Sequence, residues 1–147
     1  MSLKQVYEAI GMADTGRIGY VHSDDEKCHV EIDLPKSVGG KGEKSNPEQL
    51  FACGYAACFS SIALYTCKRW KLNVESLPVT VKVKLYNEDT NPFAFHLKVE
   101  IHAWIKDVSQ EDAEKIIKEA HHNCAYSNIV KDGVVEKLFV NDKEIML

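Results

Sequence analysis

The alternation of apolar and polar positions divides the chain into short strands, one long uncharged helix and one amphipathic helix. Val6 to Ile10 reads as a first strand, followed by turn signals at Gly11 and Asp14-Thr15-Gly16. Ile18 to His22 forms a second strand. In Cys28 to Leu34, the residues Cys28, Val30, Ile32 and Leu34 share one face while His29, Glu31 and Asp33 share the other. Val38-Gly39-Gly40-Lys41-Gly42 reads as a loop that lacks the spacing of a phosphate-binding Gly-Lys-Ser/Thr motif. Two strongly alternating strands come later. Val79, Val81, Val83 and Leu85 carry one, and Phe93 to Ile105 carries the other, joined by a hairpin loop at Asn87-Glu88-Asp89-Thr90-Asn91-Pro92. Ser109 starts a helix with Glu111 and Asp112 in its first turn and a stripe of Ala113, Ile116, Ile117 and Ala120. It ends near His121-His122-Asn123-Cys124, and Val134 to Val140 is the last strand. The order β-β-β-α-β-β-α-β implies an α+β fold with helices segregated against antiparallel sheets, in a single domain over residues 1–147.

The central segment is the unusual one. Ser45-Asn46-Pro47-Glu48-Gln49 carries two overlapping capping boxes, Ser45 with Glu48 and Asn46 with Gln49, and a proline suited to the first turn. From Leu50 to Cys67, 18 residues pass without a charge, and the helix should run to about Trp70. A membrane span wants about 20 predominantly apolar residues, and here Gly54, Ser60, Ser61 and Thr66 dilute the run. A helix buried on all sides is the better reading. One modest sheet covers only one face. A second copy of the chain is the simplest cover for the rest, with Ala52, Gly54, Ala56, Ala57 and Ser60 permitting close approach. The alternative is cover by the second helix and the N-terminal strands of the same chain.

Composition narrows the function. With 147 residues, 45% hydrophobic and 27% charged, the chain can build a core without metal or disulfide staples. The net charge of −4 and scattered basic residues give no reason to expect nucleic acid or an anionic membrane as partner. The N-terminus lacks the layout of a secretory signal, so a cytoplasmic, reducing compartment is expected, and the five cysteines are expected as thiols. Cys28 and Cys67 read as half-buried small residues. Cys53 and Cys58 lie about 140° apart around a helix, on different faces. His121, His122 and Cys124 with Cys53 or Cys58 make a rival metal site, weakened by the absence of any Cys-x-x-Cys and by the about 100° between the adjacent histidines. Spacing alone does not link Cys58 to Cys124.

The residues Asn46-Pro47-Glu48-Gln49-Leu50-Phe51-Ala52-Cys53-Gly54-Tyr55-Ala56-Ala57-Cys58-Phe59-Ser60-Ser61, followed by Ala120-His121-His122-Asn123-Cys124-Ala125-Tyr126-Ser127-Asn128, resemble the Ohr/OsmC family, and its organic hydroperoxide resistance branch in particular. Thr15-Gly16-Arg17-Ile18-Gly19 matches the family's arginine-bearing segment. The likeness covers the chain from about Asp14 to the C-terminal strand. It implies an intertwined homodimer with antiparallel sheets packed on a long buried central helix and a second helix. It also implies a cysteine-based peroxidase: Cys58 attacks the hydroperoxide and becomes a sulfenic acid, and Cys124 resolves it as a disulfide. Arg17 and Glu48 match the family's Arg–Glu pair. The resemblance further implies a lipoyl-type dithiol reductant and neither metal nor organic cofactor. Ala125 departs from the family's usual proline, which is expected to loosen the segment presenting Cys124, and Cys53 stands where a small non-thiol residue is common.

Elementary chemistry bears on this reading. Only a thiolate attacks, and Cys58 lies too far along its helix for the dipole to activate it. A fixed cation is required, and Arg17 oriented by Glu48 supplies one. Glu48 and Cys58, ten residues apart, are separated by about 15 Å along a straight helix. If both serve one site, either Glu48 reaches Arg17 from the partner subunit or the helix start bends sharply. The apolar surroundings of Cys58 favour alkyl or fatty-acid hydroperoxides over hydrogen peroxide. A redox sensor without turnover uses the same thiol chemistry and is the other alternative.

Overall fold

The computed structural model describes residues 1–147. The chain divides into two compact units, Met1–Leu50 and Phe51–Leu147.

The first unit is an antiparallel meander of β1 (Gly11–Ala13), β2 (Gly19–Ser23) and β3 (His29–Ile32). Met12 faces His22, and His22 faces His29 across the ladders. The expected strand at Val6 to Ile10 does not form. Those residues are exposed and irregular, and the first strand begins at Gly11, which had read as a turn. The β1–β2 turn depends on two glycines at positive φ, Gly16 (64°) and Gly19 (92°), with Arg17 between them. The Thr15 hydroxyl donates to the Ile18 carbonyl and closes this turn. Ile32 is the one fully buried side chain of the unit. Tyr7, Ile18 and Tyr20 lie exposed.

In the second unit, β4 (Val79–Asn87), β5 (Phe95–Ala103), β6 (Val135–Val140) and β7 (Lys143–Ile145) form one four-stranded sheet in that order. β4 and β5 pair over nine residues in the phase the alternation predicts, so Val99, Ile101 and Ala103 are buried. One neighbouring pair departs from the antiparallel expectation, because β6 enters parallel to β5. A bulge between Val99 and Glu100 leaves Glu136 as the extra residue of β6. The bulge explains the irregular buried set Val135, Leu138 and Val140.

Three helices complete the fold: α1 (Pro47–Arg69), α2 (Gln110–Asn123) and α3 (Ala125–Ile129). α2 is capped as expected, the Asp112 amide donating to Ser109 Oγ at 3.1 Å, and it buries Ala113, Ile116, Ile117 and Ala120 completely. In α1 the buried residues are Tyr55, Phe59, Ala63, Thr66 and Cys67, spaced to lie on one face. They join Leu77, Val99, Ile101, Ile116, Ile117 and Leu138 in the core. Within one chain the burial of α1 is therefore one-sided. Cys53, Ala57, Ser61 and Tyr65 form an uncovered stripe, although α1 is long and apolar enough to cross a membrane by composition. The unit builds α+β architecture from two kinds of surface: a sheet face and two helix stripes.

Candidate functional site

Of the two possible caps at the start of α1, Asn46 provides the one that forms. Its Oδ1 accepts the Gln49 amide at 2.8 Å, while the Ser45 hydroxyl donates to Gln49 Oε1 at 3.2 Å. Glu48 is thereby free of capping. Its carboxylate takes a two-pronged contact from the Arg17 guanidinium, at 2.9 and 2.5 Å. The Glu48 side chain is 15% exposed and that of Arg17 36%. Hydrogen bonding to Arg17 holds the Glu48 carboxyl below the ordinary glutamate range, against the opposing effect of burial. Glu48 in turn raises the Arg17 pKa further. The pair's stabilisation is thus present above the ordinary glutamate pKa and is lost as pH falls through the lowered folded value. Arg17 and Glu48 meet within one chain.

Cys58 and Cys124, 66 residues apart, come together in the second unit. The Cys124 thiol points at the Cys58 sulfur across 3.6 Å. Cys58 is half-buried at the edge of the core, and Cys124 is fully buried. Burial pushes the Cys124 thiol pKa up, and its neighbour Cys58 adds to that effect. Cys124 therefore holds its proton and donates it toward the Cys58 sulfur. Cys124 sits on a corner. It ends α2, its amide donating to the Ala120 carbonyl at 2.8 Å, and it starts the short α3, its carbonyl accepting from the Asn128 amide at 3.0 Å. Ala125 takes the first position of α3, a place where proline's missing N–H costs nothing. Those backbone bonds close the corner without it.

Aromatic side chains of α1 and α3 pack together in the same unit. Phe51, Tyr55 and Tyr126 cluster with ring centroids 5.5–5.9 Å apart. A groove beside Phe51, which neither cysteine lines, is bordered by Phe95, Leu97, Val130 and Val134 and by the polar His96, Lys98, Lys131 and Asp132. Gly54 is what lets Tyr126 lie against α1. A Cβ at that position would meet Tyr126 Oη at 2.6 Å and Cζ at 3.2 Å. Gly54→Ala should displace Tyr126, and with it the corner two residues earlier, costing about 1–3 kcal/mol as overpacking does. Urea unfolding of that variant tests this, and an unchanged midpoint would show that Tyr126 swings aside freely.

Two residues that sequence reasoning gave no role, Ser127 and Tyr55, lie near the cysteines with His121. The Ser127 hydroxyl bonds both the Tyr55 hydroxyl at 2.8 Å and His121 Nδ1 at 3.0 Å. Ser127 and Tyr55 are 72 positions apart, and no local pattern joins them. His121, offered above as a metal ligand, spends Nδ1 on Ser127, while His122 is exposed. No group of three or more His, Cys, Asp or Glu side chains assembles in a geometry that could hold a metal ion. Of the other cysteines, Cys28 and Cys53 are exposed, and Cys67 is fully buried with its pKa raised by burial.

Residues 40–138 match the family model described as OsmC-like protein. The chain is 40% identical over 129 residues to the organic hydroperoxide resistance protein-like 1 of Staphylococcus epidermidis, covering 87% of this chain and 90% of that one. The crystal structure of an organic hydroperoxide resistance protein from Elizabethkingia anophelis matches with a TM-score of 0.87 at 37% identity, over 96% of this chain and all of the other. An organic hydroperoxide resistance protein OsmC from Legionella pneumophila also matches at 0.87, with 38% identity over 93% and 98% of the two chains. Sequence and fold thus agree that the chain belongs to the OsmC-like protein family, in its organic hydroperoxide resistance branch.

Proposed function

We propose that the protein is a cysteine-based peroxidase that reduces organic hydroperoxides to alcohols. The observation that carries this reading is the 3.6 Å approach of the Cys58 and Cys124 sulfurs, about 1.5 Å longer than a disulfide bond. The Cys58 thiolate attacks the terminal oxygen of the hydroperoxide. The O–O bond breaks, the alkoxide takes up a proton and leaves as alcohol, and Cys58 becomes a sulfenic acid. Cys124 then displaces hydroxide from that sulfur, which leaves as water, and a disulfide remains. Trapping in this way protects Cys58 from the sulfinic state, which is generally irreversible. A dithiol of the lipoyl type returns the pair to thiols by exchange. The aromatic cluster of Phe51, Tyr55 and Tyr126 favours an alkyl or fatty-acid chain over hydrogen peroxide. Comparable efficiency on the two classes overturns that preference.

The working form is a homodimer. Two features support it: the uncovered stripe Cys53, Ala57, Ser61 and Tyr65 on α1, and a first unit with a single fully buried side chain. A fifty-residue unit with so little core needs apolar cover from elsewhere. In this reading the Arg17 guanidinium, held by Glu48, supplies the fixed cation that stabilises the thiolate. The two units then work as one OsmC-like domain.

The decisive experiment adds one equivalent of an alkyl hydroperoxide to fully reduced protein and maps all five thiols by peptide mass. A Cys58–Cys124 disulfide is the expected product. Survival of all five thiols overturns the peroxidase. A sulfinic Cys58 beside a free Cys124 overturns the resolving role alone.

A further inference from the structure

Three side chains, each about one helical turn from a cysteine of the pair, meet at a single oxygen. Tyr55 stands three residues before Cys58 on α1, His121 three residues before Cys124 on α2, and Ser127 three residues after it on α3. The Ser127 hydroxyl meets the Tyr55 hydroxyl at 2.8 Å and His121 Nδ1 at 3.0 Å. One oxygen therefore ties together the three helices that carry the two sulfurs.

We propose that Tyr55, Ser127 and His121 form a latch that holds Cys124 at attacking distance from Cys58, so that disulfide formation depends on the latch and the first oxidation does not. Resting on the peroxidase reading above, the latch supplies positioning residues for its second step. In that step the Cys124 thiol gives up its proton, the S–S bond forms and the S–O bond of the Cys58 sulfenic acid breaks. The departing hydroxide takes up a proton and leaves as water. The latch takes no part in this exchange. It sets the distance.

The corner at Cys124 needs such a device. α3 is five residues long, buries none of them fully and has no side-chain cap. A helix so short does not hold its shape alone. Its one turn closes on the corner, the Asn128 amide donating to the Cys124 carbonyl at 3.0 Å, so whatever grips Ser127 also orients Cys124. The grip passes through this turn of backbone and needs no bond from Ser127 to the sulfur. The Ser127–His121 bond spans the corner itself and fixes how α3 leaves α2. The Tyr55–Ser127 bond pins the same corner to α1. Tyr126, packed where Gly54 leaves room, sets the spacing of α3 from α1, and the latch adds direction.

The hydrogens run one way through the three groups. Tyr55 is fully buried, burial pushes its pKa up to about 12, and it stays protonated. It donates to Ser127 Oγ, and the single serine hydrogen goes to His121 Nδ1. Phe59 lies against the imidazole, with centroids 6.5 Å apart, and limits its movement. Removing the serine hydroxyl would strand the buried Tyr55 hydroxyl without a partner. The geometry leaves little slack: reacting atoms need to stand about 3–3.5 Å apart, a misplacement of about 1 Å costs up to about 10²-fold, and the sulfurs rest at 3.6 Å.

The test is a stopped-flow record of the reduced protein mixed with one equivalent of alkyl hydroperoxide, with samples quenched for mass mapping. The first phase reports oxidation of Cys58 and the second reports disulfide formation. Ser127→Ala should leave the first phase unchanged and slow the second about 10–100-fold. Excess hydroperoxide should then carry a larger share of Cys58 to the sulfinic state. Ser127→Thr, which keeps the hydroxyl, should restore the second phase. Tyr55→Phe should slow the second phase as Ser127→Ala does, and the double variant should be no slower than either, because both break one latch. Urea unfolding separates position from stability. Ser127→Ala should lower the midpoint, whereas the double variant removes both hydroxyls and should recover most of it. A second phase that stays slow in the double variant supports the latch. A second phase that recovers along with the midpoint overturns it, as does an unaltered second phase in Ser127→Ala, and in both cases the peroxidase stands. If Cys58 of the unaltered protein is never oxidised, the peroxidase reading falls and the latch with it.

Discussion

Cys58→Ser should reduce hydroperoxide turnover to background, a loss of roughly 10³-fold or more given what removal of a covalent nucleophile does elsewhere. The hydroxyl of serine cannot be ionised by the surroundings that suit a thiol, and oxygen gains nothing from attacking peroxide oxygen. Cys124→Ser should behave differently. Its first equivalent of hydroperoxide is still consumed, because the attacking sulfur remains, but the sulfenic acid has no partner 3.6 Å away. Excess peroxide should then drive Cys58 to the sulfinic state, read as a gain of two oxygens on its peptide. Steady-state consumption with a dithiol reductant gives the comparison. Retention of more than about a tenth of the activity by Cys58→Ser would move the chemistry to another thiol.

Phe59→Ala should be the most destabilising single truncation near the site. Phe59 is fully buried on the inner face of α1, within the core formed with the sheet and α2, and its ring also lies against His121. Truncation of a buried phenylalanine costs about 3–5 kcal/mol from lost transfer energy and the cavity left behind. That is a large share of a typical stability of about 5–15 kcal/mol. For a chain of this size the melting temperature should fall by roughly 10 °C. Urea denaturation followed by circular dichroism measures it. A change below about 1 kcal/mol would mean that the helix collapses into the gap without penalty.

These effects differ in how far they could be read from the chain alone. The core side of α2 was fully legible. Its stripe Ala113, Ile116, Ile117 and Ala120 recurs at helical spacing, and all four side chains are buried. The β4–β5 hairpin was legible for the same reason, because nine paired residues alternate without a fault. The start of α1 was legible as chemistry, but not which of two caps wins. That choice matters, because Asn46 takes the cap and Glu48 goes to Arg17. The last strand was read too simply: the bulge at Glu136 breaks its period of two, and the chain turns once more into β7. A signal for that turn was present in Asn141-Asp142, a pair that tolerates the positive φ of 50° and 68° found there. The strand expected at Val6 to Ile10 failed because alternation alone does not supply a neighbour to pair with. Nothing local announced that Cys58 meets Cys124, or that Tyr55 meets Ser127. Such contacts belong to tertiary packing, and for the cysteines only the family resemblance joined them.

The unequal burial of the five cysteines sets a trap for anyone counting thiols. Within one chain Cys28 and Cys53 are exposed, Cys58 is halfway in, and Cys67 and Cys124 are sealed. A water-soluble alkylating reagent applied to the folded, reduced protein should mark Cys28 quickly, Cys53 only where no second copy covers its stripe of α1, and leave the sealed two untouched. Cys124 would then escape the label just as it would in a disulfide. Redox state in this protein is therefore readable only when the reagent is applied together with denaturant, so that silence from a sulfur means a bond and not merely shelter.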